Sequence, residues 1–183
     1  MQGKYATQSA LSLDELLTVV LITHNRPAFL RRALKYYSTL PCKVLVLDSS
    51  TEAGEGVVGV FGTVDYHHVP QFGYWESLGK LVHGVGLVTT PYMVFAADDD
   101  FIVHDALFES VGFLQANPDY GMCHGYCLMY VSEGKQVKYY RRDKKVSGDY
   151  GSDSVPDRVV GALGEFLPPF YAVTRTPLLS QWF

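Results

Sequence analysis

Apolar and polar residues alternate along the chain in blocks, and these blocks predict strands and helices that follow one another. Short apolar runs predict strands at 18–23, 43–47 and 92–97, and the segment 63–69 predicts a further strand. Apolar residues spaced three to four apart predict helices at 27–40, 75–88 and 105–115. Because strands and helices take turns, the pattern predicts an α/β fold, with a mostly parallel sheet flanked by helices.

The pattern changes after residue 116. Two strand-like runs, 120–131 and 136–141, predict a small antiparallel hairpin, and a polar loop, a short helix and a last strand follow at 142–156, 157–166 and 170–174. We therefore expect a single domain over 1–183, made of an extension at 1–15, an α/β half at 16–110 and a second half at 111–183. Because the chain ends in the middle of a helical pattern, we expect this second half to be truncated at its C-terminus.

Composition narrows the class of protein. The 183 residues are 48% hydrophobic and 19% charged, as in folded domains, and the net charge of −4 disfavours nucleic acid as a partner. Three cysteines cannot all pair with one another, which indicates a reducing compartment. With no signal-peptide pattern and no membrane span in the sequence, we expect a cytoplasmic protein, and a location at the cytoplasmic face of a membrane stays open.

Polar groups follow the first, second and fourth predicted strands directly. Parallel sheets bind ligands at the carboxyl ends of their strands, so these groups are expected to meet at one edge. They are Thr23-His24-Asn25-Arg26, Asp48-Ser49-Ser50 and Asp98-Asp99-Asp100.

The three consecutive aspartates form the strongest candidate site. Alternate residues of an extended segment point the same way, so Asp98 and Asp100 can face one ligand together. Oxygen ligands suit Mg²⁺ or Mn²⁺, which bind through one or two carboxylates and substrate phosphates. The alternative is a solvated acidic turn.

The other two polar groups suit a nucleotide. The segment 23–26 offers a hydroxyl, an imidazole, an amide and a guanidinium at a helix start, where free N–H groups attract anions. Asp48 stands at the end of its strand, where an acidic residue can bind a ribose or the edge of a base. The alternatives are helix capping by Asn25 and a turn role for Asp48.

Other motifs carry no chemistry in our interpretation. His67 and His68 are adjacent, so they point to opposite faces of a strand and cannot easily share a metal ion. The segment 123–127 resembles half of a zinc site, but no second pair of ligands follows at a usable spacing. The sequence has no Gly-x-Ser-x-Gly motif of serine hydrolases, no Gly-x-Gly-x-x-Gly dinucleotide turn after the first strand and no P-loop motif.

Taken together, three segments resemble the nucleotide-sugar half of GT-A glycosyltransferases, and most of all the large inverting group called family 2. The segments are Thr18–Arg26, Leu45–Ser50 and Tyr92–Asp100, and the resemblance covers 16–110, with 111–183 in the place of the acceptor-side half. The chain departs from the family at His24, where an aromatic residue is usual, and in 78–86, where the Arg-Asn-x-Gly motif is poorly kept.

The resemblance implies a role for each matching residue. Those in the positions that bind the donor nucleotide and its sugar are Thr23, His24, Asn25, Arg26, Asp48, Ser49, Lys80, Asp98 and Asp99. Asp100 would bind the divalent cation that bridges the diphosphate, and Asp98 is the second metal candidate, because three consecutive aspartates allow two registers. The carboxylate base that an inverting enzyme requires falls in 151–158, where Asp153 is the first choice and Asp157 the second, unless either caps a helix.

The resemblance thus implies a glycosyltransferase that uses Mn²⁺ or Mg²⁺ and transfers a sugar, with inversion, from a nucleoside-diphosphate donor. UDP is the expected nucleotide, GDP and dTDP remain open, and the acceptor is an unidentified saccharide or other hydroxyl compound. The alternatives are an inactive or truncated nucleotide-binding domain, and a nucleotidyltransferase, whose glycine-rich basic loop after the first strand is missing here. The polar loop 142–156 is expected to act as a lid over the donor.

Overall fold

The computed structural model describes residues 12–62, 64–141, 150–164 and 169–182. In chain order the elements are α1 (Leu13–Leu16), β1 (Leu17–Thr23), α2 (Pro27–Tyr37), β2 (Lys43–Asp48), α3 (Glu55–Val58), β3 (Val64–His68), a 3₁₀ turn (Tyr74–Glu76), α4 (Ser77–Leu87), β4 (Tyr92–Ala97), α5 (His104–Ala116), β5 (Met122–Cys123), β6 (Leu128–Glu133), β7 (Gln136–Arg141), α6 (Val155–Gly164), a second 3₁₀ turn (Pro169–Tyr171), β8 (Val173–Arg175) and α7 (Thr176–Trp182).

A six-stranded sheet organises the fold, in the order β3-β2-β1-β4-β8-β5. Strands β1 to β4 are mutually parallel, and β8 runs antiparallel to its neighbours β4 and β5. Strands β6 and β7 form a separate antiparallel hairpin. The predicted fold class, a mostly parallel sheet flanked by helices with a small antiparallel part, is confirmed.

Two helical layers cover the sheet because successive side chains of a strand point to opposite faces. On one face, Val19 and Leu21 of β1 belong to a buried cluster with residues of α2 and α5, among them Leu34 and Leu107. On the other face, Val20 belongs to a cluster with residues of β2, α4 and α7. The central strands are therefore buried on both sides, as their continuous apolar runs predict.

Strand register places the polar groups side by side at one edge. Thr23 at the end of β1 pairs with Asp48 at the end of β2, which pairs with His68 at the end of β3. On the other side of β1, Ile22 pairs with Ala97, so Asp98 follows next to Thr23. The polar residues that lie 25 to 75 positions apart in sequence thus share one edge.

Helix α4 packs so closely on the sheet that position 84 accepts no side chain. A Cβ at Gly84 would lie 2.6 Å from Cδ1 of Leu47 and 3.2 Å from Cγ1 of Val20, both fully buried. We expect Gly84→Ala to lower the free energy of unfolding by about 1–2 kcal/mol, the cost of overpacking less the helix propensity gained. Urea denaturation measures this. The matched control is Gly86→Ala, where a Cβ meets nothing within 4 Å, and a loss equal to that of Gly84→Ala would contradict the packing argument.

The structure corrects several predicted elements. The strand predicted at 120–131 is wrong as one element, because β5 pairs with β8 while β6 begins a separate ladder five residues later. Periodicity cannot show this break, since both pieces are extended. The strand predicted at 170–174 is in part a 3₁₀ turn, and the segment 51–62 contains the single-turn helix α3.

The predicted lid at 142–156 is only partly within the described chain. Residues 142–149 lie outside the described residues, and α6 begins at Val155. Cys42 and Cys123 form no disulfide bond within the described residues. None of the helices in the described ranges is long and apolar enough to cross a membrane.

Candidate functional site

The edge formed by the ends of β1, β2 and β4 holds polar side chains that are buried almost completely. Thr23 is 4% exposed, Asp48 1% and Asp98 2%. Buried polar groups are costly unless they are hydrogen-bonded, so the partners of each carboxylate define what this edge can do.

Asp98 is bound on both of its oxygens. Its Oδ2 accepts a hydrogen bond of 2.7 Å from the Thr23 hydroxyl, and Nη1 of Arg26 lies 2.8 Å from its Oδ1. Nη2 of the same guanidinium donates to Asp99 at 2.8 Å, and the Phe29 ring stacks 4.0 Å from the guanidinium carbon. Burial raises the pKa of Asp98, and Thr23 and Arg26 oppose that shift. One guanidinium thus links the first two aspartates.

Asp100 is exposed and is held by two tyrosines. Its backbone oxygen accepts a 3.0 Å hydrogen bond from Tyr37 on α2, and that hydroxyl also accepts the N–H of Ile102 at 3.1 Å. Its carboxylate accepts a hydrogen bond from the Tyr171 hydroxyl. Burial raises the pKa of Tyr171, which keeps the hydroxyl protonated and donating.

Asp100 is better suited than Asp98 to act as a ligand of a divalent cation. Within the described part of the chain, no three His, Cys, Asp or Glu side chains form a ligand group for a metal ion. Mg²⁺ or Mn²⁺ needs only one or two carboxylates when phosphates supply further oxygens, and the exposed Asp100 meets that need. A metal role for Asp98 would require Arg26 or Thr23 to release it, and both roles stay predictions.

A buried lysine lies beneath the strand ends. Lys80 of α4 is 4% exposed, and its ammonium group donates to the Thr23 carbonyl oxygen at 3.1 Å and to the Ser49 hydroxyl at 2.8 Å. Burial lowers the pKa of Lys80, and the nearby carboxylates of Asp48 and Asp98 oppose that shift. The positive charge of Lys80 therefore interacts with two buried aspartates.

His24 and Asn25 join the end of β1 to the loop after β2. Nδ1 of His24 lies 2.9 Å from the Ser49 carbonyl oxygen, which can only accept, so the neutral ring carries its hydrogen on Nδ1. Asn25 adopts a φ of +53°, a left-handed conformation that asparagine tolerates. Its side-chain oxygen accepts the N–H of Thr51 at 3.0 Å. Asn25 therefore organises this loop and does not cap α2.

Asp48 is turned inwards and shapes its own loop. Its Oδ1 accepts the N–H of Ser50 at 2.8 Å, and its Oδ2 accepts the N–H of Gly54 at 3.2 Å and the Tyr66 hydroxyl at 2.8 Å. A Cβ at Gly54 would lie 2.9 Å from Oδ2, so glycine is required there for this close approach. Sequence reasoning missed Tyr66, because a tyrosine inside a predicted strand carries no sign of its partner.

A cavity of about 370 Å³ opens between the start of α2 and the loop that Asp48 shapes. That volume lies in the usual range of small-molecule sites. Polar groups and apolar side chains both contribute to its wall, as in sites that hold a flat, partly polar ligand. The lining residues are Thr23, Asn25, Pro27, Leu30, Asp48, Ser50, Thr51, Glu52, Ala53, Gly54, Gly56 and Val57.

The two candidate bases are not bonded to this network within the described residues. Asp153 and Asp157 are exposed beside the start of α6, and among the described residues no hydrogen bond or ion pair joins either carboxylate to the strand-end groups. The Ser154 hydroxyl accepts the N–H of Asp157 at 3.4 Å, so Ser154 occupies the capping role considered for the aspartates. The catalytic role of either aspartate stays a prediction.

Solved structures share this architecture. Residues 1–349 of TarS from S. aureus align with 91% of this chain and 48% of their own, at 12% identity and a TM-score of 0.59. The mannosyltransferase PcManGT from Pyrobaculum calidifontis, in complex with GDP-Man and Mn²⁺, aligns with 62% of this chain and 35% of its own, at 19% identity and a TM-score of 0.50. No protein-family model and no curated protein matches the sequence.

These likenesses show the GT-A fold of nucleotide-sugar transferases, as the sequence motifs predict. The chain spans less than half the length of either solved structure.

Proposed function

We propose that this GT-A chain is a metal-dependent glycosyltransferase that takes a sugar from a nucleoside-diphosphate donor. The observation that carries the proposal is the juxtaposition at one sheet edge of a cavity of nucleoside size, the cations Arg26 and Lys80, and the exposed carboxylate of Asp100. Transfer from such a donor requires neutralisation of the charge that develops on the leaving diphosphate. We also propose that the protein acts in the cytoplasm, as expected from the sequence.

Different residues would contact the nucleoside and the phosphates of the donor. Thr23, Asn25, Asp48 and the loop from Ser49 onwards shape the nucleoside end, and His24 holds that loop against β1. The positive charges of Arg26 and Lys80 would attract the phosphates of the donor. Asp98 and Asp99 orient the guanidinium of Arg26 through their ion pairs with it.

Asp100 would hold the Mn²⁺ or Mg²⁺ ion, which as a Lewis acid supplies stabilisation of the leaving diphosphate. Tyr171 and Tyr37 keep Asp100 in place by their hydrogen bonds to its carboxylate and backbone oxygen.

The acceptor side belongs to the second half of the chain. Asp153, or else Asp157, would take the proton of an acceptor hydroxyl, and attack from that side inverts the anomeric centre. A second candidate function, nucleotide binding without transfer, is favoured by one observation: among the described residues, no hydrogen bond or ion pair joins either aspartate to the strand-end groups.

A thermal-shift panel tests the donor site. UDP, GDP, dTDP, ADP and CMP are each added with Mn²⁺, Mg²⁺ or EDTA. Binding at a hundredfold excess over Kd adds about 2.7 kcal/mol, which raises the Tm of a chain of this size by roughly 5–10 °C. We expect such a shift for one nucleoside diphosphate, lost in EDTA. The absence of a shift for every nucleotide would contradict the proposal.

A further inference from the structure

The cavity beside Asp48 carries polar groups that the protein itself does not satisfy. Glu52 lines the cavity, its residue is exposed, and its carboxylate makes no hydrogen bond or ion pair with any residue in the described ranges. The backbone N–H groups of Glu52 and Ala53 likewise have no acceptor there, whereas those of Thr51 and Gly54 on either side donate to side chains. One carboxylate and two adjacent backbone donors thus remain for a ligand.

Asp48, the acidic residue expected to read the base or the ribose, has no comparable capacity. Its two oxygens already accept from two backbone N–H groups and from the Tyr66 hydroxyl, and the residue is 1% exposed. Because Oδ2 already accepts two hydrogen bonds, a contact of both oxygens with a base would displace one of them and leave a buried donor unpaired, which is costly. Recognition of the base is therefore expected from Glu52 and Ala53 in the cavity wall.

A carboxylate distinguishes the bases because it can only accept hydrogen bonds. Guanine presents two adjacent donors, N1–H and the 2-amino group, and a carboxylate binds such a pair through two charge-assisted hydrogen bonds. Uracil and thymine present one N–H between two carbonyl oxygens, so the second carboxylate oxygen faces an acceptor. Adenine and cytosine present one amino group beside a ring nitrogen that also accepts.

We infer that the cavity selects guanine, with Glu52 accepting from N1–H and the 2-amino group, and with a backbone N–H of the 52–53 segment donating to O6. This inference rests on the proposed function, because that proposal assigns the nucleoside to this cavity. It replaces the uridine expected from the resemblance, and it makes the donor a GDP-sugar.

Isothermal titration calorimetry with GDP, IDP and UDP in the presence of Mn²⁺ tests the inference. IDP is guanosine diphosphate without the 2-amino group, so it can make only one of the two bonds to the carboxylate. We expect the protein to bind GDP at least tenfold more tightly than IDP or UDP, since hydrogen bonds to charged groups are individually strong. In Glu52→Gln, GDP affinity should fall about tenfold, and the preference for GDP over IDP should disappear.

The matched control is Glu55→Gln. Glu55 is an exposed glutamate three residues further on that does not line the cavity, so this change should leave all three affinities unaltered. Tighter binding of UDP than GDP would overturn the guanine inference and leave the proposed function standing. An equal loss of GDP, IDP and UDP affinity in Glu52→Gln would overturn the reading role of Glu52. Failure of every nucleotide to bind would overturn the proposed function itself.

Discussion

Replacement of Asp100 by Asn should lower the Mn²⁺-dependent affinity for the donor nucleotide by about a hundredfold or more. Loss of groups that merely support metal ligands costs about 10–100-fold in metal affinity, so loss of the proposed ligand should reach the upper end of that range. Asparagine retains an oxygen that can accept from Tyr171, so the hydrogen bond that places this side chain can persist. The measurement is the nucleotide Kd by calorimetry, with Mn²⁺ and with EDTA.

The control variant for Asp100→Asn is Asp119→Asn, an exposed aspartate in the loop before β5 that changes the net charge equally. Its Kd should match that of the unaltered protein. In EDTA, the Asp100 variant and the unaltered protein should bind nucleotide with the same affinity. A Kd in Mn²⁺ unaffected by Asp100→Asn would show that the metal is held elsewhere.

Replacement of Arg26 by Met should lower the free energy of unfolding at pH 7 by about 2 kcal/mol. The change removes the ion-pair partner of the Asp98 carboxylate, whose side chain is 3% exposed, and leaves it with the weaker attraction of Lys80. Breaking a fully buried pair costs about 3–5 kcal/mol, and the smaller value applies because the Arg26 side chain is 39% exposed and solvent screens it. Methionine preserves much of the packing on Phe29.

The deficit of the Arg26 variant should depend on pH. Burial raises the pKa of Asp98 in the folded protein above its ordinary value, and Arg26 opposes that shift, so the variant raises it further. At a pH below the pKa of Asp98 in the unfolded chain, Asp98 is protonated in both proteins. The part of the stability difference that arises from its charge then vanishes. As pH rises through the folded pKa, each protein loses stability, and the variant loses more. The deficit should therefore be greatest near neutral pH and shrink on acidification.

Urea denaturation from pH 3 to pH 8 measures the deficit of the Arg26 variant. Arg31→Met provides the control, because Arg31 is exposed on α2, the helix that follows Arg26, and forms no ion pair among the described residues. It should show a small difference from the unaltered protein at every pH. A deficit for Arg26→Met that stays constant from pH 3 to pH 8 would show that packing, and not the charge of Asp98, accounts for the loss.

Most of the sheet and the location of the site could be predicted from residue order alone. The runs that form β1, β2 and β4 are mostly apolar because both of their faces are buried, and the polar residues that follow mark the ends of the strands. Since parallel strands end at the same edge, these polar groups had to meet there. Thr23, Asp48 and Asp98 were identified on this reasoning, and the register of the strands brings them together.

The partners of those residues depended on the tertiary structure. Tyr66 reaches Asp48 across 18 positions, and Tyr37 and Tyr171 reach Asp100 across 63 and 71. The inward turn of Asp48, which leaves Glu52 as the open acceptor, follows from these long-range contacts. Periodicity reports whether a face is buried, and strand ends report where polar groups begin. Which hydrogen bond each group makes is decided by register and packing between distant segments, and no local pattern records those.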